Sequence, residues 1–430
     1  MRFQHVDEQS AMTMAVKRRS EAARDALPVP APLGSRPAGS LVVMAPNAWH
    51  TAWRNRQHLL SRLAQRGWDI AYSRGPFRSW NVGTADWQAA PWLGHWQMRD
   101  RVAVWQRGRL VLQPGWRHKA RWLPLALHAR RLKRRLRDPS GHIFCIYHPQ
   151  YEPFVAALKS GHVAYYLYDD FAAELGHDRE LLAAHERLIR RTDLLVATSE
   201  GIAERLLGPA APRAQILPNG ADCTLIETLA ARAAPDFLHG IPRPRILYSG
   251  AVNQKVDLDR IASLARHRPD WHWLLIGPQI LPREIEPARQ PFAVALAALR
   301  SLGNVHLVGE RPFPDYLTAL HHADVAVICN RQDEGWWQNA YPLKFHEYLA
   351  AGRPVVATPI RSIQEFAPVA RFAASDEDWL AALNEAIEAG GHGSPDTRRA
   401  AARTHDWNRL ADRFEDMLLA LRPPTGSGYA

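Results

Sequence analysis

Residues 341–359, Tyr341-Pro342-Leu343-Lys344-Phe345-His346-Glu347-Tyr348-Leu349-Ala350-Ala351-Gly352-Arg353-Pro354-Val355-Val356-Ala357-Thr358-Pro359, read as a short helix followed at once by a buried strand. Pro342 sits where a helix can begin without losing a needed N–H. Gly352 can close the helix in a left-handed turn, and Arg353-Pro354 prevents its continuation. Residues 354–358 then form a short apolar strand. Lys344 and Glu347 are three residues apart and share one helix face near its N-terminal end. A cation and a carboxylate there suit a ligand that carries both phosphates and hydroxyls. A solvated surface ion pair is the alternative, but the tight punctuation of the unit favours a site.

Working outward, the unit closes a series of strands at 245–250, 273–276, 305–308, 325–329 and 355–358, with helices at 257–267, 314–322 and 376–389 between them. Residues 231–244, crowded with Pro, Ala and charge, read as a linker. An earlier series opens with strand 41–45, helix 56–64 and strand 68–72, a βαβ start. It resumes with strands 143–147, 163–168 and 194–198 and a helix over 178–191. Ser199 is placed to cap a helix over 200–207, and strand 215–218 runs into the Asn219-Gly220 turn. Between the two parts of this series, 73–122 is rich in tryptophan (80, 87, 92, 96, 105, 116 and 122). Core packing is the default for each of these, and stacking on sugar rings the alternative. Segments 102–105 and 109–113 suggest a hairpin around Arg107-Gly108.

The expected class is therefore α/β, with two doubly wound Rossmann-like domains facing an interdomain cleft and ligand sites at the carboxyl ends of strands. The divisions are a flexible leader over 1–40, an acceptor-side domain over 41–236, and a nucleotide-binding domain over 237–405. A helix over 406–422 is expected to pack back towards the N-terminal domain, and 423–430 form a tail.

A chain of 430 residues, 47% hydrophobic, can build two such cores. Its net charge of +11 favours an anionic partner. No apolar run is long enough to span a bilayer, and 1–40 holds no apolar signal core. The three cysteines, Cys145, Cys223 and Cys329, are too far apart for a disulfide framework or zinc motif, which points to a reducing cytoplasm.

The pattern Pro342-x-Lys344-x-x-Glu347-Tyr348-Leu349-Ala350-x-Gly352-x-Pro354-Val355-Val356 resembles the nucleotide-sugar signature of GT-B glycosyltransferases of the group 1 superfamily, in particular bacterial teichuronic-acid and exopolysaccharide glycosyltransferases. Residues 217–222, 248–252, 256–259 and 269–278 support the resemblance, which is most specific over 193–360. It implies a nucleotide-sugar donor, a UDP-sugar by expectation, held by the second domain. Glu347 would accept hydrogen bonds from the ribose hydroxyls. Lys344 would counter the diphosphate or touch the donor sugar. Gly250 would let the backbone approach the phosphates, and Lys255, just before a helix, would add charge there. Retaining members often carry a carboxylate eight residues before the ribose-binding Glu. Here that position is Asn339, with Asp333 and Glu334 out of register, so stereochemistry stays open.

An inverting enzyme needs a base on the acceptor side. Asp169 and Asp170, at the end of strand 163–168, are candidates; a helix-capping role is the alternative. His148, at another strand end, is an alternative base. His50 is a weaker candidate, and Arg54 and Arg56 are open to a donor or acceptor phosphate contact, with a solvated helix face as the equal alternative. The expectation is metal independence and no cofactor, since cations and helix N-termini can stabilise the leaving diphosphate.

Residues 117–137 hold nine Lys or Arg and no carboxylate, interspersed with leucines. Such a helix can lie on an anionic membrane surface, or be a solvated face packed on its domain. No nucleic-acid module accompanies it, so nucleic acid is not expected. The expected function is transfer of a sugar to a lipid-linked or other saccharide acceptor in bacterial surface polysaccharide or glycolipid synthesis, by a cytoplasmic enzyme peripheral on the inner face of the membrane. A nucleotide-sugar epimerase or hydrolase, or a non-catalytic nucleotide-sugar sensor, are the alternatives.

Overall fold

Short runs of aliphatic and β-branched residues, nearly all buried on both faces, pair into two parallel sheets, as such runs do when helices cover both sides. The computed structural model describes residues 38–50, 53–114, 122–137, 141–158, 161–282, 289–332 and 338–421. Most of the expected leader, Trp116 with residues 117–121, Asp333, Glu334 and the 423–430 tail lie outside the described residues.

The first unit spans 38–218 together with 407–421. Its strands are β1 (Ser40–Met44), β2 (Asp69–Ser73), β3 (His95–Arg99), β4 (Val102–Gln106), β5 (His142–Ile146), β6 (His162–Leu167), β7 (Leu194–Ala197) and β8 (Ala214–Ile216). Their spatial order is β8-β7-β6-β5-β1-β2-β4-β3, parallel except for the β3–β4 pair. The chain builds outward from β1 through β2 and β4, then returns to β5 on the other flank. The order reverses between β1 and β5, where doubly wound sheets bind ligands.

Helices α1 (Asn55–Gln65), α2 (Trp122–Arg135), α3 (Ala172–His177) and α4 (Glu200–Leu207) belong to this unit. Ser199 caps α4 by accepting from the Ile202 N–H. The C-terminal helix Trp407–Leu419 packs on α1: Trp407 stacks on His58, ring centroids 4.8 Å apart, and Asn408 accepts from Arg62 Nε at 2.9 Å.

Three details differ from the sequence reading. The hairpin joins β3 and β4 around Asp100 and Arg101, both at positive φ, rather than turning at Arg107-Gly108. Leu112–Gln113 instead pairs with Phe77–Arg78 in a small separate sheet. The tryptophans divide: Trp105 is buried, whereas Trp80, in the short 3-10 turn Ser79–Asn81, and Trp92, on a loop, are exposed outside the main sheet. In α2, Leu125, Ala129 and Leu132, with Leu136 just past its end, enter the core, which leaves Leu123, Leu127, Arg130 and Arg134 outward.

The second unit covers 219–406. Residues 219–236, expected on the first domain, belong here because the helix Cys223–Leu229 buries Ile226 and Leu229 with Leu247, Leu317 and Phe345. Its strands are β9 (Arg245–Ser249), β10 (His272–Ile276), β11 (Val305–Gly309), β12 (Val325–Ile328), β13 (Val355–Ala357) and β14 (Arg371–Phe372). The order β11-β10-β9-β12-β13-β14 is parallel throughout and reverses between β9 and β12. Its helices include α5 (Leu258–His267), α6 (Phe313–His321) and α7 (Leu343–Ala350). Gly352, just past α7, takes φ +70°, the left-handed turn that ends the helix. Among the described residues, no helix is long and apolar enough to cross a membrane.

Candidate functional site

In the second unit the sheet reversal sets the ends of β9 and β12 side by side. Gly250 follows β9 at φ +117°, and its N–H donates to the Ile276 carbonyl at 2.9 Å. A Cβ on Gly250 would stand 2.9 Å from Lys344 Nζ. One on Gly277 would come within 2.1 Å of the Gly250 carbonyl oxygen, so two glycines keep this strand end bare. Lys344 Nζ lies over this backbone and 3.7 Å from the Tyr248 ring centroid. Tyr348, one turn along α7, pins the helix to β9: its hydroxyl accepts from the Ser249 N–H at 2.9 Å and contacts Ser249 Oγ at 3.0 Å.

Glu347 accepts a short hydrogen bond from the Tyr316 hydroxyl of α6. Lys344 and Glu347 are both half-buried. Burial, helped by the nearby Lys255 charge, brings the Lys344 ammonium down to about 7. Burial lifts the Glu347 carboxyl to about 8. Lys255 is held by its carbonyl, which accepts from the Arg331 N–H beyond β12, and by its own N–H on Asn253 Oδ1. A bridge from Val256 to Asn330 fixes the segment beside β12 just before α5. Asn339 is half-buried on the approach to α7. The structure thus sets Lys344 against Gly250, with Lys255 in electrostatic reach of Lys344, and carries Glu347 one turn further along α7 against Tyr316.

Sequence reasoning missed the support behind α7. His346 is fully buried, its Nε2 2.8 Å from the Tyr341 hydroxyl and its ring stacked on His405 at 4.1 Å. Burial first, then the His405 charge, drive the His346 imidazole well below its ordinary range. Asn219 Nδ2 donates to the Tyr341 carbonyl at 2.7 Å. These contacts fix the start of α7 and therefore the direction of Lys344. No spacing signal ties Tyr316 to Glu347 across 31 residues.

In the first unit the ends of β5 and β6 carry the expected base candidates. The Asp170 carboxylate is 2.6 Å from Arg205 Nε of α4, almost wholly covered, and accepts from the Ala172 N–H at the start of α3. Asp169 Oδ1 accepts from the Asp170 N–H at 3.0 Å. Both make local structural contacts of the capping kind. His148 is different. Its Nε2 lies 3.3 Å from Glu174 Oε2, its Nδ1 accepts from the Gln150 N–H, and Phe171 packs on its ring. With Nδ1 accepting, the hydrogen bonds assign the proton to Nε2, which points it at the exposed Glu174 carboxylate. Glu174, 26 residues from His148, was not foreseen from sequence.

Arg56 is packed inside the first unit rather than exposed. It is fully buried, its guanidinium 4.3 Å from the Tyr168 ring and 5.1 Å from the Tyr147 ring, with Nη1 donating to Asn47. Arg54 is exposed and its N–H is capped by Gln57. His50 is exposed on the loop after β1. Among the described residues, no group of three or more His, Cys, Asp or Glu is placed to hold a metal ion.

Residues 243–389 match the family model described as glycosyl transferases group 1. The putative teichuronic acid biosynthesis glycosyltransferase TuaH of Bacillus subtilis (strain 168) is 27% identical over 281 residues, covering 60% of this chain and 67% of that protein. Among solved structures, sucrose-phosphate synthase from Thermosynechococcus elongatus superposes with a TM-score of 0.65 at 14% identity, covering 89% of this chain and 99% of that one. Anabaena HepE in complex with UDP and glucose gives 0.63 at 14% identity, with the same coverage. At such identity these structures establish the fold.

Proposed function

Starting from a chain that is a GT-B glycosyltransferase with a group 1 domain, we propose that it moves a sugar from a nucleotide-diphosphate donor, a UDP-sugar, to a saccharide acceptor in polysaccharide synthesis. The observation that carries the donor half is the Lys344 ammonium held against the bare backbone of Gly250, with Glu347 one turn further on. A diphosphate meets Lys344, the neighbouring Lys255 and the first turn of α7, three sources of positive potential. The ribose hydroxyls meet Glu347, whose second partner, Tyr316, orients it. This set stabilises a leaving diphosphate without a metal ion. The UDP and glucose held by HepE support the same class of donor.

For the acceptor half, the His148–Glu174 pair replaces Asp169 and Asp170, whose carboxylates are committed to α3, α4 and their own turn. The acceptor hydroxyl gives its proton to the Glu174 carboxylate while its oxygen bonds to the anomeric carbon and the bond to the diphosphate breaks. His148 Nε2–H holds Glu174 in place. Such a single displacement inverts the anomeric centre, in keeping with Asn339 where retaining relatives carry a carboxylate. The outward face of α2, with Leu123, Leu127, Arg130 and Arg134, suits an anionic leaflet at which a lipid-linked saccharide is presented, and supports the reading of an enzyme working at the inner face of the cell membrane.

The deciding experiment incubates the protein with UDP-, GDP- and dTDP-sugars, with and without a lipid-linked saccharide. Acceptor-dependent nucleotide release is expected. Release without acceptor means a hydrolase, conversion of the donor sugar means an epimerase, and binding without turnover means a sensor.

A further inference from the structure

The first unit contains a cavity that the donor and base assignments do not use. It has a volume of about 210 Å³ and opens at the carboxyl ends of the neighbouring strands β1, β2 and β4. Trp49, Tyr72, Phe77 and Trp105, all buried, supply aromatic walls. Two guanidiniums project into it from the residues that follow β2 and β4. Arg74 is aimed by its Nε, which donates to the Pro46 carbonyl at 3.0 Å. Arg107 lies over Phe77, its guanidinium carbon 3.9 Å from the ring centroid.

Both guanidiniums converge on one carboxylate, that of Asp86. Arg74 Nη1 is 3.1 Å from Asp86 Oδ2, and Arg107 Nη2 donates to the same oxygen. Asp86 belongs to a helix of only four residues, Ala85–Gln88, and its side chain is 56% exposed while that of Arg107 is 11% exposed. Two fixed cations therefore share one exposed carboxylate, and the three groups together keep a net positive charge. Like charges drawn this close are favourable only with an anion between them, and a guanidinium pair is shaped for a carboxylate or phosphate. Aromatic faces beside such a clamp suit the apolar face of a sugar ring. The volume lies below the roughly 300 Å³ at which pockets for larger ligands begin, which fits one ring and not a nucleotide.

We propose that this cavity is a subsite for a sugar ring bearing an anionic group, in which Arg74 and Arg107 grip the anion in the place Asp86 now occupies. It deepens the transferase reading and rests on it for the role of this sugar as acceptor. The anion is a carboxylate or a phosphate, and the probes below separate the two.

The test titrates the full chain with methyl β-D-glucuronide, methyl β-D-glucoside and α-D-glucose 1-phosphate by ligand-detected NMR, with UDP as a separate probe. At least one anionic probe is expected to bind at least about tenfold more tightly than the neutral glucoside. Arg107→Gln and, at the pocket rim, Arg74→Gln should each erase that preference while UDP binding stays unchanged. Asp86→Asn, which removes the competing carboxylate, should tighten the anionic probe. Unchanged UDP binding in each variant shows that the chain is folded. Equal binding of glucoside and anionic probes, or a preference that survives both arginine variants, overturns the proposal, as does failure of both anionic probes on a chain that binds UDP. Anion binding on a chain that does not bind UDP upholds the subsite and rejects the UDP-sugar donor of the transferase reading instead.

Discussion

Lys344 and Glu347 lie one turn apart on α7, and burial lowers the one and raises the other, which makes the proposed donor site testable one residue at a time. Burial and Lys255 lower the Lys344 ammonium to about 7, so in the free protein it is losing its proton at neutral pH. A bound diphosphate favours the cation and raises its pKa, so binding takes up a proton as pH rises above about 7, and affinity falls there until the bound-state pKa is passed. Burial raises the Glu347 carboxyl to about 8. Ribose hydroxyls favour the carboxylate, so binding releases a proton below about 8, and affinity rises with pH up to that point. UDP-glucose affinity, followed by calorimetry, should therefore peak between pH 7 and 8. Lys344→Arg should remove the alkaline fall and Glu347→Gln the rise below it. A flat profile in the unaltered protein would reject both assignments. At fixed pH, Glu347→Ala should weaken UDP binding by about 1.5–3 kcal/mol, the range for a hydrogen bond to a charged acceptor. Unchanged affinity would remove Glu347 from the site.

Among elements, those with a strong local signal are the ones the sequence makes legible. The buried runs at β1, β5, β6, β9, β10 and β12, the Ser199 cap and the Gly352 stop each follow from chemistry within a few residues. The β3–β4 turn does not, because Asp100 and Arg101 adopt positive φ without a glycine to announce it. Contacts across long separations are equally silent: His148 with Glu174, Glu347 with Tyr316, and Arg74 and Arg107 with Asp86. The Asp pair and its alternative capping role were legible, but the ion pair of Asp170 with Arg205 was not. Helix α2 shows the same division. Its basic character is plain in sequence, yet only packing reveals that most of its apolar face is spent on the core, leaving Leu123 and Leu127 beside Arg130 and Arg134. If that outward face contacts an anionic leaflet, the Arg130→Gln/Arg134→Gln pair should lose about 2 kcal/mol of binding, at about 1 kcal/mol per charge near the surface. Co-sedimentation with phosphatidylserine vesicles at low and high salt measures it. Binding that ignores both salt and the substitutions would exclude α2 as the contact.

At the scale of the whole molecule, the two units differ in how the chain builds them. The second is one continuous stretch, 219–406, whereas the first takes 38–218 and then the separate helix Trp407–Leu419. That helix puts Trp407 on His58, Phe414 on Tyr166 at a centroid distance of 5.8 Å, and Glu415 on Arg66 and the Trp68 indole. Trp407 and Phe414 are both fully buried, and removing either to Ala costs on the order of 3–5 kcal/mol, a large share of the stability of an ordinary domain. The proposed donor residues Gly250, Lys255, Lys344 and Glu347, with their supports Tyr316, Tyr341, His346 and His405, all fall inside 219–406. A fragment of 219–406 should therefore fold on its own and bind UDP within about tenfold of the full chain. A fragment of 38–218 should be unstable until the 407–421 segment is added back as a peptide or fused. Thermal melts and UDP calorimetry on both fragments check this. A folded 219–406 fragment without UDP affinity would place an essential donor contact in the first unit. A stable 38–218 fragment would show that the C-terminal helix contributes far less to the first core than its buried aromatic residues indicate.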